Sequence, residues 1–296
     1  MSRRRGRPLN GWLVLDKSEG LTSAAAVARA RALLGAAKAG HAGTLDPIAS
    51  GVLPVALGEA TKTVGIVMGG KKIYRFMVRW GEARDSGDAE GRLMASNSKR
   101  PAGEAILAAL PDFVGRIRQT PPAFSAVKIA GERAYAKARR GEPVLIAPRE
   151  VEVERFALLE AGPESARFEV VCGKGTYVRA LVRDLAERLG VLGYVASLRR
   201  LKVGPFDEKH AISLDKLGAL VHSGGPEATL LPVEAGLVDI PALRLTQPQA
   251  ERLRHGQAVR VNPAPEGTVY AMAAGQPVAL AEVAAGEARA LRVFNL

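Results

Sequence analysis

One carboxylate in this chain sits in a segment suited to presenting a reactive group. Asp46 lies in HAGTLDPIASG, residues 41–51. Gly43 can take positive φ, which lets the backbone turn sharply just before the acid. Pro47 disfavours the helical region at Asp46, so the acid is expected in extended backbone. Thr44 supplies a hydroxyl that can hold the loop's own backbone or orient the carboxylate. Asp-Pro turns are commonly no more than solvated turns, so the rest of the chain has to decide.

A second candidate is a cation. From Thr176 the apolar period becomes helical, with Val178, Leu181, Val182, Leu185 and Leu189 on one stripe and Gly190 ending it. Arg179 and Arg183 flank that stripe in the first turns. A cation there opposes the helix macrodipole, so Arg179 requires an anionic partner.

Other familiar chemistries fall away. The single cysteine, Cys172, excludes an internal disulfide and a cysteine-rich zinc site; its strand-like apolar setting reads as an inert core thiol in a reducing compartment. Asp85, Asp88 and Glu90 in the polar turn 81–91 loosely resemble a calcium loop but lack its closing glutamate, so no metal is expected. GKGT at 173–176 is neither a phosphate loop nor a dinucleotide fingerprint, so no nucleotide cofactor is expected.

The elements that must position these groups follow from periodicity. GWLVLDK (11–17) reads as a strand. Thr22 or Ser23 caps an alanine-rich helix whose shared face would be Ala24, Val27, Ala28 and Leu34, with Gly35 stopping it. Residues 71–81 alternate, Tyr74, Phe76, Val78 and Trp80 against Arg75, Met77 and Arg79. Residues 151–160 and 166–172 read as paired strands, and 203–232 as a looser connector. Gly/Pro punctuation after it points to a small β-rich domain over 238–296.

Net charge is +12, and the first 237 residues hold 36 Lys+Arg against 25 Asp+Glu. The tail holds six against five, so a polyanionic partner should dock on the larger part. In 119–141, Phe124 and Tyr135 alternate with Lys128, Arg133, Lys137, Arg139 and Arg140, as a nucleic-acid-gripping segment requires. The basic arm over residues 1–10 lacks the apolar stretch of a secretory signal, and no apolar run is long enough for a membrane span.

GHAGTLDPIASGVLPVALGEATK (40–62) resembles the active-site segment of the bacterial tRNA pseudouridine-55 synthases, the TruB-type family. Further blocks resemble the family in order: 11–23, KKIY (71–74), the basic stretch 119–141, CGKGTYVRALVRDL (172–185) and SLRRLKVG (197–204). Arg84 departs from it where threonine is common, and Ser18 where proline is. The resemblance implies an α/β fold of α+β type. A mixed, largely antiparallel sheet with a central cleft would form a catalytic domain over 11–237, with an RNA-binding insertion at about 119–150. A PUA-like RNA-binding domain would follow over 238–296.

It implies isomerisation of uridine-55 to pseudouridine in the T arm of tRNA, by a cytoplasmic monomer without cofactor, metal or guide RNA. Asp46 would act on the flipped-out nucleotide, by attacking the sugar carbon, attacking the base or removing a sugar proton. Tyr74 would stack on the uracil, and Arg179 would pair with Asp46, lower its pKa and keep it ionised. His41, Tyr177 and Leu198 would line the pocket, with Lys17 nearby. Two readings compete: a tRNA-binding chaperone without catalysis, and the catalytic subunit of a guide-RNA pseudouridylation particle. The first leaves Asp46, Tyr74 and Arg179 together as coincidence; the intact insertion and short tail argue against the second.

Overall fold

Strands that read as unbroken apolar runs are covered on both faces here, and the strand that alternates exposes its basic side. The computed structural model describes residues 6–125, 127–129 and 131–296. Residues 1–5, half of the expected basic arm, lie outside the described residues, as do the side chains of Lys128 and Arg133.

The chain runs through β1 (Gly11–Lys17), α1 (Ser23–Leu34), β2 (Ala39–His41), β3 (Ala49–Leu57), α2 (Val64–Gly69) and β4 (Lys72–Trp80). A ribbon of β5 (Glu82–Arg84) and β6 (Leu93–Ser96) follows, then α3 (Gly103–Ala109) and β7 (Gly115–Gln119). The insertion holds β8 (Lys128–Ile129), β9 (Glu132–Arg133) and α4 (Ala134–Arg139). After it come β10 (Arg149–Ala161), β11 (Ser165–Cys172), α5 (Val178–Arg188), β12 (Gly193–Val203), β13 (Phe206–Asp207) and α6 (Leu214–Gly224). The C-terminal part contains β14 (Ala242–Arg244), α7 (Gln247–Arg254), β15 (Val259–Arg260), β16 (Gly267–Ala273), β17 (Gln276–Ala284) and β18 (Glu287–Val293).

The large sheet has the order β1-β3-β12-β4-β11-β10-β7, with β2 added to β3 and β13 to β12. Its pairings are antiparallel except β12 on β3. This is the mixed, largely antiparallel α+β architecture expected. Along β1, Leu13 and Leu15 join the main core with α1 and α5, while Trp12 and Val14 join a second cluster on the opposite face. Two-sided burial explains the unbroken run. β4 instead buries Phe76, Val78 and Trp80 and exposes Arg75 and Arg79.

Two elements differ from expectation. α1 buries Ser23, Ala26, Ala30 and Leu34 rather than the Ala24/Val27/Ala28 face. A helix this rich in alanine has nearly uniform polarity, so its sequence hardly distinguishes the inner face. The connector 203–232 contains α6, capped by Ser213 Oγ accepting from Lys216 N at 3.2 Å and packed on α1.

A five-stranded sheet, order β14-β16-β17-β18-β15, and α7 make the β-rich tail. It shares core with the body: Leu280 and Phe294 pack in the cluster around Trp12, Val14 and Val52. The GEATK segment secures the contact. Lys62 Nζ donates to Val293 O at 2.7 Å and pairs with Glu59, whose Oε2 accepts from Asn295 N at 2.8 Å. Phe294→Ala should therefore destabilise body as well as tail, by about 3–5 kcal/mol. Both tryptophans lie in the body, so the check is thermal unfolding followed by their fluorescence. An unshifted tryptophan transition would show that the tail unfolds independently.

Candidate active site

Asp46 occupies the loop between β2 and β3, and the loop is held through its main chain. Every carbonyl from residue 43 to 47 has a donor. Gly43 O accepts from Arg200 Nη2 at 3.0 Å and Thr44 O from Arg200 Nη1 at 3.3 Å. Ser23 Oγ brackets Leu45, donating to its carbonyl at 2.9 Å and accepting from its amide at 2.8 Å. Asp46 O accepts from Ala49 N at 3.0 Å. Pro47 O accepts from Gly20 N at 2.8 Å and from Lys17 Nζ at 3.3 Å. The holding task expected of the Thr44 hydroxyl thus falls to Ser23, Lys17 and Arg200. Gly43 does take positive φ, at 109°.

The Asp46 side chain keeps 34% of its surface and meets a buried cation. Arg179 Nη2 lies 2.8 Å from Asp46 Oδ2, and the Arg179 side chain is 4% exposed. The anionic partner that its place in α5 required is therefore present. A second carboxylate flanks it: Asp88 Oδ2 is 3.5 Å from Arg179 Nη1. Arg179 also donates to Ser86 O at 2.9 Å and Phe124 O at 2.8 Å, so its guanidinium is oriented by four groups from three loops. Asp88 is held in turn by Ser86 Oγ at 2.6 Å and Glu90 N at 3.2 Å. Arg84, the residue departing from the family pattern, braces this turn by donating to Ala89 O and Gly91 O.

The electrostatics correct one expectation. Burial pushes the Asp46 carboxyl above its ordinary 3.8; Arg179 pulls it back, and the Asp88 charge pushes it up again. Arg179 was expected to lower the value, but one cation shared between two acids does not offset desolvation. Lys17, 1% exposed, donates to the carbonyls of Ser18, Leu21 and Pro47. Burial lowers its pKa to about 8, against an opposing pull from Asp46. Burial likewise raises the Tyr74 phenol, against a downward pull from the Arg200 cation opposite it, while the Asp46 charge adds to the rise.

The remaining expected pocket residues lie on the surrounding elements. Leu198 on β12 is in register with Ala49 on one side and Phe76 on the other. Tyr177 precedes α5; its amide donates to Gln119 Oε1 at 2.8 Å, Gln119 Nε2 donates to its carbonyl at 3.2 Å, and the Arg149 guanidinium lies 5.1 Å from its ring centre. His41 ends β2, half-buried, in register with Val55. In the insertion, Arg140 pairs with Glu132 at 2.7 Å and Glu142 at 2.6 Å, and Arg139 lies over Tyr135.

The sequence pattern of the TruB family pseudouridylate synthase (N terminal domain) matches residues 31–178, and that of the tRNA pseudouridylate synthase B C-terminal domain matches residues 179–238. The chain belongs to the TruB family. A tRNA pseudouridine synthase B of Rhodopseudomonas palustris is 54% identical over 99% of this chain and 83% of its own length. That of Rhodospirillum rubrum is 48% identical over 99% of both. Among solved structures, a Cbf5-Nop10-Gar1 complex contains a chain with TM-score 0.75 and 25% identity, covering 100% of this chain and 90% of that one.

Sequence reading missed Asp88, Ser86, Gln119 and Arg200 in this TruB-family site. A signal existed for two of them. Asp88 stood in a turn whose acids had no stated task, and Arg199 and Arg200 are neighbours in a strand, where both cannot face solvent. Arg199 takes the outer side, pairing with Asp16 and Glu208.

The Asp46 shift has a consequence for stability. The folded chain holds the Asp46 proton more tightly than the unfolded chain, so stability present below 3.8 is lost as pH rises through the elevated folded value. At neutral pH the ionised acid therefore costs stability. Asp46→Asn, of the same shape without the charge, should melt above the parent at pH 7 and no higher than it well below 3.8. Calorimetry at the two pH values checks the sign; a variant melting below the parent at neutral pH would mean that the Arg179 attraction outweighs burial.

Proposed function

We propose that this chain isomerises uridine-55 of the tRNA T arm to pseudouridine, with Asp46 as the residue acting on the nucleotide. The observation that carries the reading is the 2.8 Å pair between buried Arg179 and the partly open Asp46 carboxylate. Near-full-length likeness to proteins called tRNA pseudouridine synthase B supports the substrate class. The reaction is an isomerisation: the C–N glycosidic bond breaks, the uracil turns, and its C5 bonds to the sugar carbon as the C5 proton moves to nitrogen. It needs a carboxylate and proton handling only.

The target uridine leaves its stack, and Tyr74 and Tyr177 offer rings to receive it. Arg179 favours the charged form of Asp46 against its burial and aims it, while Leu198 and His41 wall the pocket and Lys17 holds the loop from below. The enzyme acts as a cytoplasmic monomer on tRNA directly, without guide RNA; its end-to-end match to the bacterial synthases supports this, as does an insertion rich in cations. The tail after residue 237 serves as a PUA-like RNA-binding domain. Lys137 and Arg139 grip RNA backbone, as do Lys128 and Arg133, whereas Arg140 also shapes the insertion through its two glutamates.

Asp46→Asn should abolish pseudouridine formation in a T-arm hairpin supplied without guide RNA or partner proteins, with hairpin affinity within a few-fold of the parent. Turnover surviving in a contamination-free preparation removes Asp46 from the chemistry. Replacing Lys137 and Arg139 by Ala should weaken binding and flatten its log–log salt dependence by roughly 0.7 per lost phosphate contact, with saturated turnover little changed. An intact slope with collapsed turnover would place these residues in the active site instead.

A further inference from the structure

Arg200 is 1% exposed, and its guanidinium meets main-chain oxygen: Val52 O at 2.8 Å, Gly43 O at 3.0 Å and Thr44 O at 3.3 Å. Tyr74 of β4 stands directly across the strand pair from Arg200, and the two side chains interact electrostatically. We propose that Arg200 is a positioning residue for the reaction, holding the Asp46 loop and the Tyr74 phenol on one planar fork so that both keep a single relative placement. The inference rests on the reading of Asp46 and Tyr74 given above.

Register explains how one side chain reaches both. In β12, Arg200 is opposite Gly51 of β3 on one side and Tyr74 of β4 on the other. A bulge between Arg200 and Lys202 bends the strand at this point. Gly51 has φ 101°, and a Cβ there would lie 2.2 Å from Arg200 O, so β3 can approach only as glycine. The guanidinium then reaches back past Gly43, where an added Cβ would lie 3.4 Å from Arg200 Nη1.

A core-filling role does not account for this choice of residue. Desolvating a guanidinium is costly, and an apolar side chain of similar volume avoids that cost. What only Arg supplies is a rigid fork of five donors in one plane. Lys17 shows that an ammonium can be housed here against three carbonyls, so the charge alone is replaceable. Arg200→Lys should consequently fold, keep the charge, and lose the shared geometry.

The test measures single-turnover pseudouridine formation on a T-arm hairpin by Arg200→Lys, with the parent and Asp46→Asn alongside. A displacement of about 1 Å should lower the rate at saturating RNA about 100-fold while hairpin affinity stays within a few-fold. Guanidinium ion at sub-denaturing concentration should restore part of the rate in Arg200→Ala. In a Tyr74→Phe background the Arg200→Lys loss should shrink, because the two residues share one interaction. If Arg200→Lys fails to fold, Arg200→Gln, which retains amide donors, takes its place. An unchanged saturated rate, whatever the melting temperature, overturns the proposal, and so does a loss confined to affinity. Losses of Arg200 and Tyr74 that multiply independently overturn the shared-fork arrangement. An active Asp46→Asn would instead sink the underlying reading of the site.

Discussion

Five successive carbonyls, from residue 43 to 47, are each satisfied, and this constraint gives the Asp46 loop one conformation. An irregular loop entering a core normally carries unpaired backbone oxygens at considerable cost. Here the donors are Arg200 from β12, Ser23 from α1, Lys17 from β1, the Gly20 amide between β1 and α1, and the loop's own Ala49 amide. They come from opposite ends of the catalytic body, so the loop exists only once β12 has inserted beside β3. The parallel β12–β3 pairing, the exception in an otherwise antiparallel sheet, brings Arg200 beneath the loop.

Charge is arranged on the same scaffold. Arg179 stands between Asp46 and Asp88, and its remaining donors hold Ser86 O and Phe124 O. Phe124 belongs to the stretch that leads into the cationic insertion. Thr120 O accepts from Arg183, and Gln119 clasps Tyr177. The root of the insertion is thereby anchored to the first turns of α5, the helix that carries Arg179. A segment expected to grip RNA and the cation that orients Asp46 share one mechanical base.

Much of this was legible in the sequence, and the gaps have physical causes. The acid before a proline was a candidate from its loop and the cation at an unfavourable helix end signalled an unmet need, and the fold brings them together at 2.8 Å. Alternation in β4 and the apolar stripe of α5 marked their buried faces directly. The inner face of α1 was not marked, because alanine is nearly neutral between core and surface. The raised pKa of Asp46 comes first from burial, which the loop sequence does not announce, and then from Asp88, which arrives from 42 positions away in a turn with no apolar pattern of its own. Arg200 was legible only in part: its adjacency to Arg199 marked one of the two as facing inward, but a buried polar residue whose hydrogen bonds go to main chain has no sequence partner to show what it holds.

The central claim is that the Asp46 loop is pre-organised before any RNA arrives. Amide hydrogen exchange in the free protein, read at Ala42, Leu45 and Ala49, tests it most directly. These amides donate to Pro54 O, Ser23 Oγ and Asp46 O. The account predicts strong protection at all three, comparable to the central strands, and little change when a T-arm hairpin binds. Rapid exchange in the free protein that becomes slow only on RNA binding would contradict it, because the loop would then be ordered by the substrate and not by the fold.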